Sequence, residues 1–147
     1  MHSTHAALST PVPLVSSALA LPMASAHVRA GFPSPADDHL VQRIDLNAIL
    51  VVHPQATFLL RVAGDSMRDL GIFDGDTVVV DRAVRPRHGH IVVAVVNGEF
   101  TVKQLYQRAG RFRLKAGNPT FPDILPAEGD VVEVWGVVTS SIKQFPR

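Results

Sequence analysis

A chain of 147 residues is long enough to bury one core without disulfides or a structural metal, and the absence of cysteine removes disulfide staples, thiolate nucleophiles and cysteine-ligated zinc. Its 14 lysine and arginine residues nearly balance 13 acids, so a net charge of +1 gives no broad basic field for nucleic acid or an anionic membrane, and contact with DNA is expected to run through a partner. The lack of cysteine fits a reducing compartment, and no apolar run reaches the roughly 18 residues of a membrane span, so a cytoplasmic location is expected.

Residues 1–36 carry one fixed charge, Arg29, among many Ala, Ser, Pro and Leu. Pro11, Pro13, Pro22, Pro33 and Pro35 block a continuous helix and favour extended backbone, so residues 1–38 read as a flexible arm ahead of a domain at 39–147. A secretory leader is the rival reading, since an apolar run at 14–21 precedes Ala24-Ser25-Ala26. No Lys or Arg precedes that run, however, and Pro13 and Pro22 bracket it. Between Pro22 and Pro33, Val28-Arg29-Ala30-Gly31 places a small residue on each side of one peptide bond, where a nucleophile can approach the backbone closely.

From about residue 40 the pattern becomes that of a folded domain. Asp45 can cap a short helix in which Leu46, Ile49 and Leu50 recur at i, i+3 and i+4, closed by His53-Pro54. Runs at 57–63, 77–81, 91–96, 100–107, 111–116 and 131–142 then read as strands, separated by Gly75-Asp76, His88-Gly89, Asn97-Gly98, Ala109-Gly110 and Gly129-Asp130. Asn97-Gly98 suits the two-residue turn of a tight hairpin, which delivers Lys103 to a strand. The spacing predicts a mostly β fold with one short helix.

Ser66, in Gly64-Asp65-Ser66-Met67, follows the first of the six strand runs, and Lys103 lies on a later one with Thr101 and Leu105 on its face. A serine hydroxyl is a poor nucleophile until a base removes its proton, and a desolvated lysine can be that base without a histidine. Bringing a lysine from about 10.4 to about 7 means disfavouring its charged form by roughly 4 to 5 kcal/mol, within the reach of burial. Taken singly, a Ser after Gly-Asp is a turn residue and a strand lysine is solvated. His88-Gly89-His90 with Asp81 offers a Ser-His-Asp or metal alternative, but two histidines two apart with no cysteine make a weak ligand pattern, so a solvated loop and no metal are expected.

Three motifs in order, Gly64-Asp65-Ser66-Met67, Gly71-Ile72-Phe73-Asp74-Gly75-Asp76 and Asn97-Gly98-Glu99-Phe100-Thr101-Val102-Lys103, resemble the self-cleaving Ser-Lys proteases of the LexA and UmuD family over roughly residues 28–145. Gln42-Arg43-Ile44-Asp45-Leu46-Asn47 and Gly136-Val137-Val138 look like the UmuD branch. The resemblance implies a compact β-rich peptidase domain that forms a homodimer and needs no cofactor, with Ser66 as nucleophile and Lys103 as base. It further implies an oxyanion hole from the backbone N–H of Ser66 and of Asp65, and self-cleavage between Ala30 and Gly31. A RecA filament on single-stranded DNA would promote docking of the arm, and the shortened product would join a Y-family translesion polymerase in the SOS response to DNA damage. A repressor of this family needs a helix-turn-helix that residues 1–38 do not pattern, so direct sequence-specific DNA binding is not expected, and a signal peptidase would need an anchor. A non-enzymatic polymerase-binding scaffold of the same fold is the remaining alternative.

Overall fold

The computed structural model describes residues 18–24, 27–31 and 41–147. Strand β1 (Ala20–Ala24) pairs antiparallel with β2 (Val41–Asp45) as a separate two-stranded ribbon. The sequence reading had neither strand: Ala20–Ala24 fell within the flexible arm, yet Pro22 is accommodated opposite Arg43 because an edge strand can do without one N–H. The rest of residues 1–17, 25–26 and 32–40, including most of that arm, lies outside the described residues.

Asp45 ends β2 and caps helix α1 (Leu46–Leu50) as expected, its Oδ1 accepting from the N–H of Asn47 at 3.0 Å. The same oxygen accepts from the N–H of Leu19 at 2.9 Å, so one carboxylate joins the helix start to the ribbon. Pro54 opens a 3-10 turn, Pro54–Ala56, rather than merely closing the helix.

Six antiparallel strands form the main sheet: β3 (Thr57–Arg61), β4 (Thr77–Asp81), β5 (Ile91–Val96), β6 (Glu99–Arg108), β7 (Arg111–Lys115) and β8 (Val132–Ile142), in the order β3-β4-β8-β5-β6-β7. The six expected runs match these strands to within two residues at each end. β4 reads Thr-Val-Val-Val-Asp without alternation, and Val78, Val79 and Val80 are all buried, as befits a strand covered on both faces. Asn97, at φ 49°, and Gly98 form the turn between β5 and β6.

One core cluster gathers Val62, Met67, Ile72, Val78, Val80, Val93 and Trp135; a second gathers Val92, Ala94, Leu105, Leu114 and Val137. The long strand β8 serves both, bent by register shifts that leave Thr139 without a partner against β4 and Trp135 without one against β5. The carbonyl of Trp135 instead accepts from Arg82 Nε at 2.8 Å, with the guanidinium carbon 4.5 Å from the indole centroid. Beside this bulge Gly136 has no room for a side chain, since a Cβ would stand 2.6 Å from Val80 Cγ1. Gly136→Ala is therefore expected to cost about 1 to 3 kcal/mol of stability, the usual result of overpacking, read as a lowered denaturation midpoint with unchanged denaturant slope.

Candidate active site

Ser66 lies in the turn that leaves β3, ahead of a 3-10 turn at Arg68–Leu70. The chain enters this turn through Gly64 at φ 90°, a conformation that glycine adopts without steric cost. It leaves through Met67, which is 1% exposed and packed in the first core cluster, so the residue next to Ser66 is an anchor. The second motif braces the first: Asp74 Oδ1 accepts from the N–H of Gly64 at 2.7 Å. Asp76 in turn closes its own loop by accepting from the N–H of Phe73 at 2.9 Å and binds Ser141 and Lys143 near the end of β8. Lys143 chiefly, against an opposing effect of burial, holds the Asp76 carboxyl below its ordinary pKa. Hydrogen bonds accepted by Asp74 and Asp76 thus give the second motif a structural role beside Ser66.

Lys103 reaches Ser66 from β6. Its Nζ is 3.3 Å from Ser66 Oγ, 2.7 Å from Thr101 Oγ1 and 3.1 Å from the carbonyl of Val102, which together occupy the three protons of an ammonium. Lys103 stands opposite the fully buried Val92 and is itself 8% exposed, and no carboxylate pairs with it among the described residues. Burial alone pushes its pKa below the ordinary lysine value, as its place on the strand led us to expect. A neutral amine here can accept the Ser66 proton while still donating to Val102 and Thr101.

The backbone on the other side of Ser66 is clamped by two residues that the sequence reading did not single out. Buried Asn118 donates from Nδ2 to the carbonyl of Asp65 at 2.9 Å, and the N–H of Gly117 donates to the carbonyl of Ser66 at 2.7 Å. A trans peptide is planar, so holding the Asp65 carbonyl points the N–H of Ser66 the opposite way. Neither the N–H of Ser66 nor that of Asp65 donates to a described residue. Only the Ser66 N–H is aimed by such a clamp. The Asn118-Pro119 pair, a turn signal just after β7, was the trace of this loop in the sequence.

A cleft of about 450 Å³ opens beside Ser66, lined chiefly by Leu60, Val62, Ala63, Val93, Phe100 and Val102. Ala30 and Gly31 are not brought to it: residues 27–31 are exposed, Val28 at 93%, and no described hydrogen bond ties them to Ser66 or Lys103. The histidine alternative is not assembled either. Asp81 pairs with His53 at 2.6 Å, while His88 Nδ1 accepts from the N–H of Gln107 and His90 Nδ1 from that of Arg87. Among the described residues no group of three or more His, Asp or Glu side chains could hold a metal, and no helix is long and apolar enough to cross a membrane.

The family model described as Peptidase S24-like matches residues 22–139. Among similar curated proteins, Protein MucA of Salmonella typhimurium is 45% identical over 127 residues, covering 86% of each chain, and Protein SamA of the same species is 45% identical over 121 residues, covering 82% of this chain and 84% of SamA. The LexA repressor of Paracidovorax citrulli is 38% identical over 133 residues, 90% of this chain but 58% of the repressor. With the family match spanning most of its length, and with its Ser66 turn and Lys103 strand meeting at one cleft, the chain belongs to the S24-like peptidase family, on the UmuD-type side of it.

Proposed function

We propose that this protein cleaves its own chain between Ala30 and Gly31. The observation that carries the reading is a buried lysine amine 3.3 Å from a serine hydroxyl, with nothing but burial acting on its pKa. Neutral Lys103 takes the proton of Ser66 as Oγ attacks the Ala30 carbonyl carbon. The N–H of Ser66, with that of Asp65 beside it, binds the oxyanion of the tetrahedral intermediate. Lys103 then returns the proton to the departing amine of Gly31, and a water deprotonated by the same lysine hydrolyses the acyl-serine at Ala30. The apolar cleft suits the small side chains of Val28 and Ala30, which point to the same side of an extended segment.

Because residues 27–31 are exposed and do not line the cleft beside Ser66, docking of this segment is the regulated step. We assign its promotion to a RecA filament on single-stranded DNA, and the shortened homodimer to a Y-family translesion polymerase in the SOS response, on the strength of the motif resemblance and the similarity to MucA and SamA. The direct test is intact-mass analysis of the purified protein held at alkaline pH, and separately with RecA, single-stranded DNA and a nucleotide. A product beginning at Gly31 is expected in both, and an intact chain in both arms leaves only the scaffold role.

A further inference from the structure

The net charge of +1 conceals a segregation: eight of the 14 lysine and arginine residues, but of the 13 acids only Glu99, lie between residues 82 and 115. Folding concentrates them further. Arg111, Arg113 and Lys115 alternate along β7 and share one face, the opposite face being the one that buries Leu114. Arg108 and Tyr106 on β6 stand directly across from Arg111 and Arg113. The Arg113 guanidinium lies 4.4 Å from the Tyr106 ring centroid and Lys115 Nζ 6.0 Å from it, with His88 edge-on to the same ring at 5.0 Å.

This face carries its cations without ion-pair partners: among the described residues no ion pair reaches Arg108, Arg111, Arg113 or Lys115. Asp69 and Asp123 share a cleft with Lys115 without an ion pair to it, and Asp123 accepts from the N–H of Ala116, so it is the arginine end of the face that is free of acids. Arg108 and Arg111 form a like-charge pair at directly opposed positions, an arrangement that destabilises a sheet, and Arg113 Nε is buried with no acceptor. An anion lying along the strands would relieve the repulsion between Arg108 and Arg111.

We infer that the β6–β7 face binds the phosphate backbone of a single nucleic-acid strand, without reading its sequence. Alternate residues of a strand are about 6.6 Å apart, so β7 offers a row of cations to one extended chain of phosphates. A two-stranded ribbon can enter the major groove of a duplex, but β6 is also paired with β5, and a ribbon embedded in a six-stranded sheet is too broad to do so. The planar guanidinium held over Tyr106 adds a surface on which an unpaired base can stack. This inference does not depend on whether Ser66 is a nucleophile.

The test is fluorescence anisotropy of labelled oligo-dT with the full chain over a series of salt concentrations, alongside a duplex and poly-glutamate of matched length. We expect the single strand to bind most tightly. Arg108→Ala/Arg111→Ala should weaken that binding about tenfold or more at low salt and reduce the slope of log affinity against log salt by about 1.4, roughly 0.7 per lost phosphate contact. The same variant should keep or slightly raise its thermal midpoint, since the opposed like charges are gone, and should keep any self-cleavage rate, while Arg147→Ala should bind as the parent does. No saturable binding, an unchanged affinity and slope in the double variant, or tighter binding of duplex or of poly-glutamate would each overturn the inference; the last would make an acidic protein the partner.

Discussion

Replacing Ser66 by Ala, or Lys103 by Ala, is expected to abolish self-cleavage, each alone by a factor of about 10³ or more, with the double variant no worse than either. The losses do not add because one residue is inert without the other: the Ser66 hydroxyl needs a base, and without Ser66 the amine has lost the hydroxyl it is proposed to activate. The rate in the parent protein should climb with pH through the lowered Lys103 pKa and level off above it. A rate that is flat from mildly acid to alkaline pH removes the lysine from the mechanism. Stability supplies an independent reading of the same group. Since the folded-state pKa is lowered, the unfolded chain binds more protons between that value and about 10.4, and stability must rise with pH across this window. The charged form is the one that folding penalises. Lys103→Met should therefore flatten this part of the curve, and denaturant unfolding of the two proteins at several pH values checks it; parallel curves would mean that Lys103 is solvated in the folded chain.

Asn118→Ala should slow cleavage about 10²-fold without moving the midpoint of the pH profile, because the substitution leaves Lys103 alone and frees the Asp65–Ser66 peptide to rotate its N–H away from the oxyanion. Asn118→Asp is the sharper variant. It keeps the size and the oxygen that accepts from Thr120, yet it sets a carboxylate against the Asp65 carbonyl where an amide N–H stood. It should be at least as slow. The measurement is cleavage in trans of a peptide spanning 27–34 by a protein beginning at Gly31, with kcat expected to fall and KM to hold, together with a loss of affinity for a peptide aldehyde that mimics the tetrahedral state. Both variants are first compared with the parent by thermal melting. If kcat stays within twofold of the parent while the fold is intact, Asn118 is a packing residue of the loop and nothing more.

Much of this architecture was legible in the residues. Six strands were visible because Val, Ile, Thr and aromatic runs end at turn pairs such as Asn97-Gly98 and Gly129-Asp130, and the Asp45 cap was visible because an N-cap is a local interaction. Ser66 and Lys103 could be named as a pair from their motifs, and the face shared by Lys103, Thr101 and Leu105 follows from strand alternation alone. Strands β1 and β2 were not legible. Their pairing joins segments about 20 residues apart through a ribbon whose β1 side is wholly exposed, so no buried alternation marks it.

What the sequence by itself determined is thus the short helix, the six strands of the main sheet and the pairing of Ser66 with Lys103 as candidates, all written in short-range patterns. The tertiary structure alone decided that β6 carries Lys103 to within 3.3 Å of Ser66, that burial rather than a neighbouring charge lowers its pKa, and that Asn118 clamps the Asp65–Ser66 peptide. It likewise decided that cations dispersed along 108–115 become one basic face. These are properties of distance and desolvation between groups remote in the chain, and such quantities exist only after the sheet has set its register.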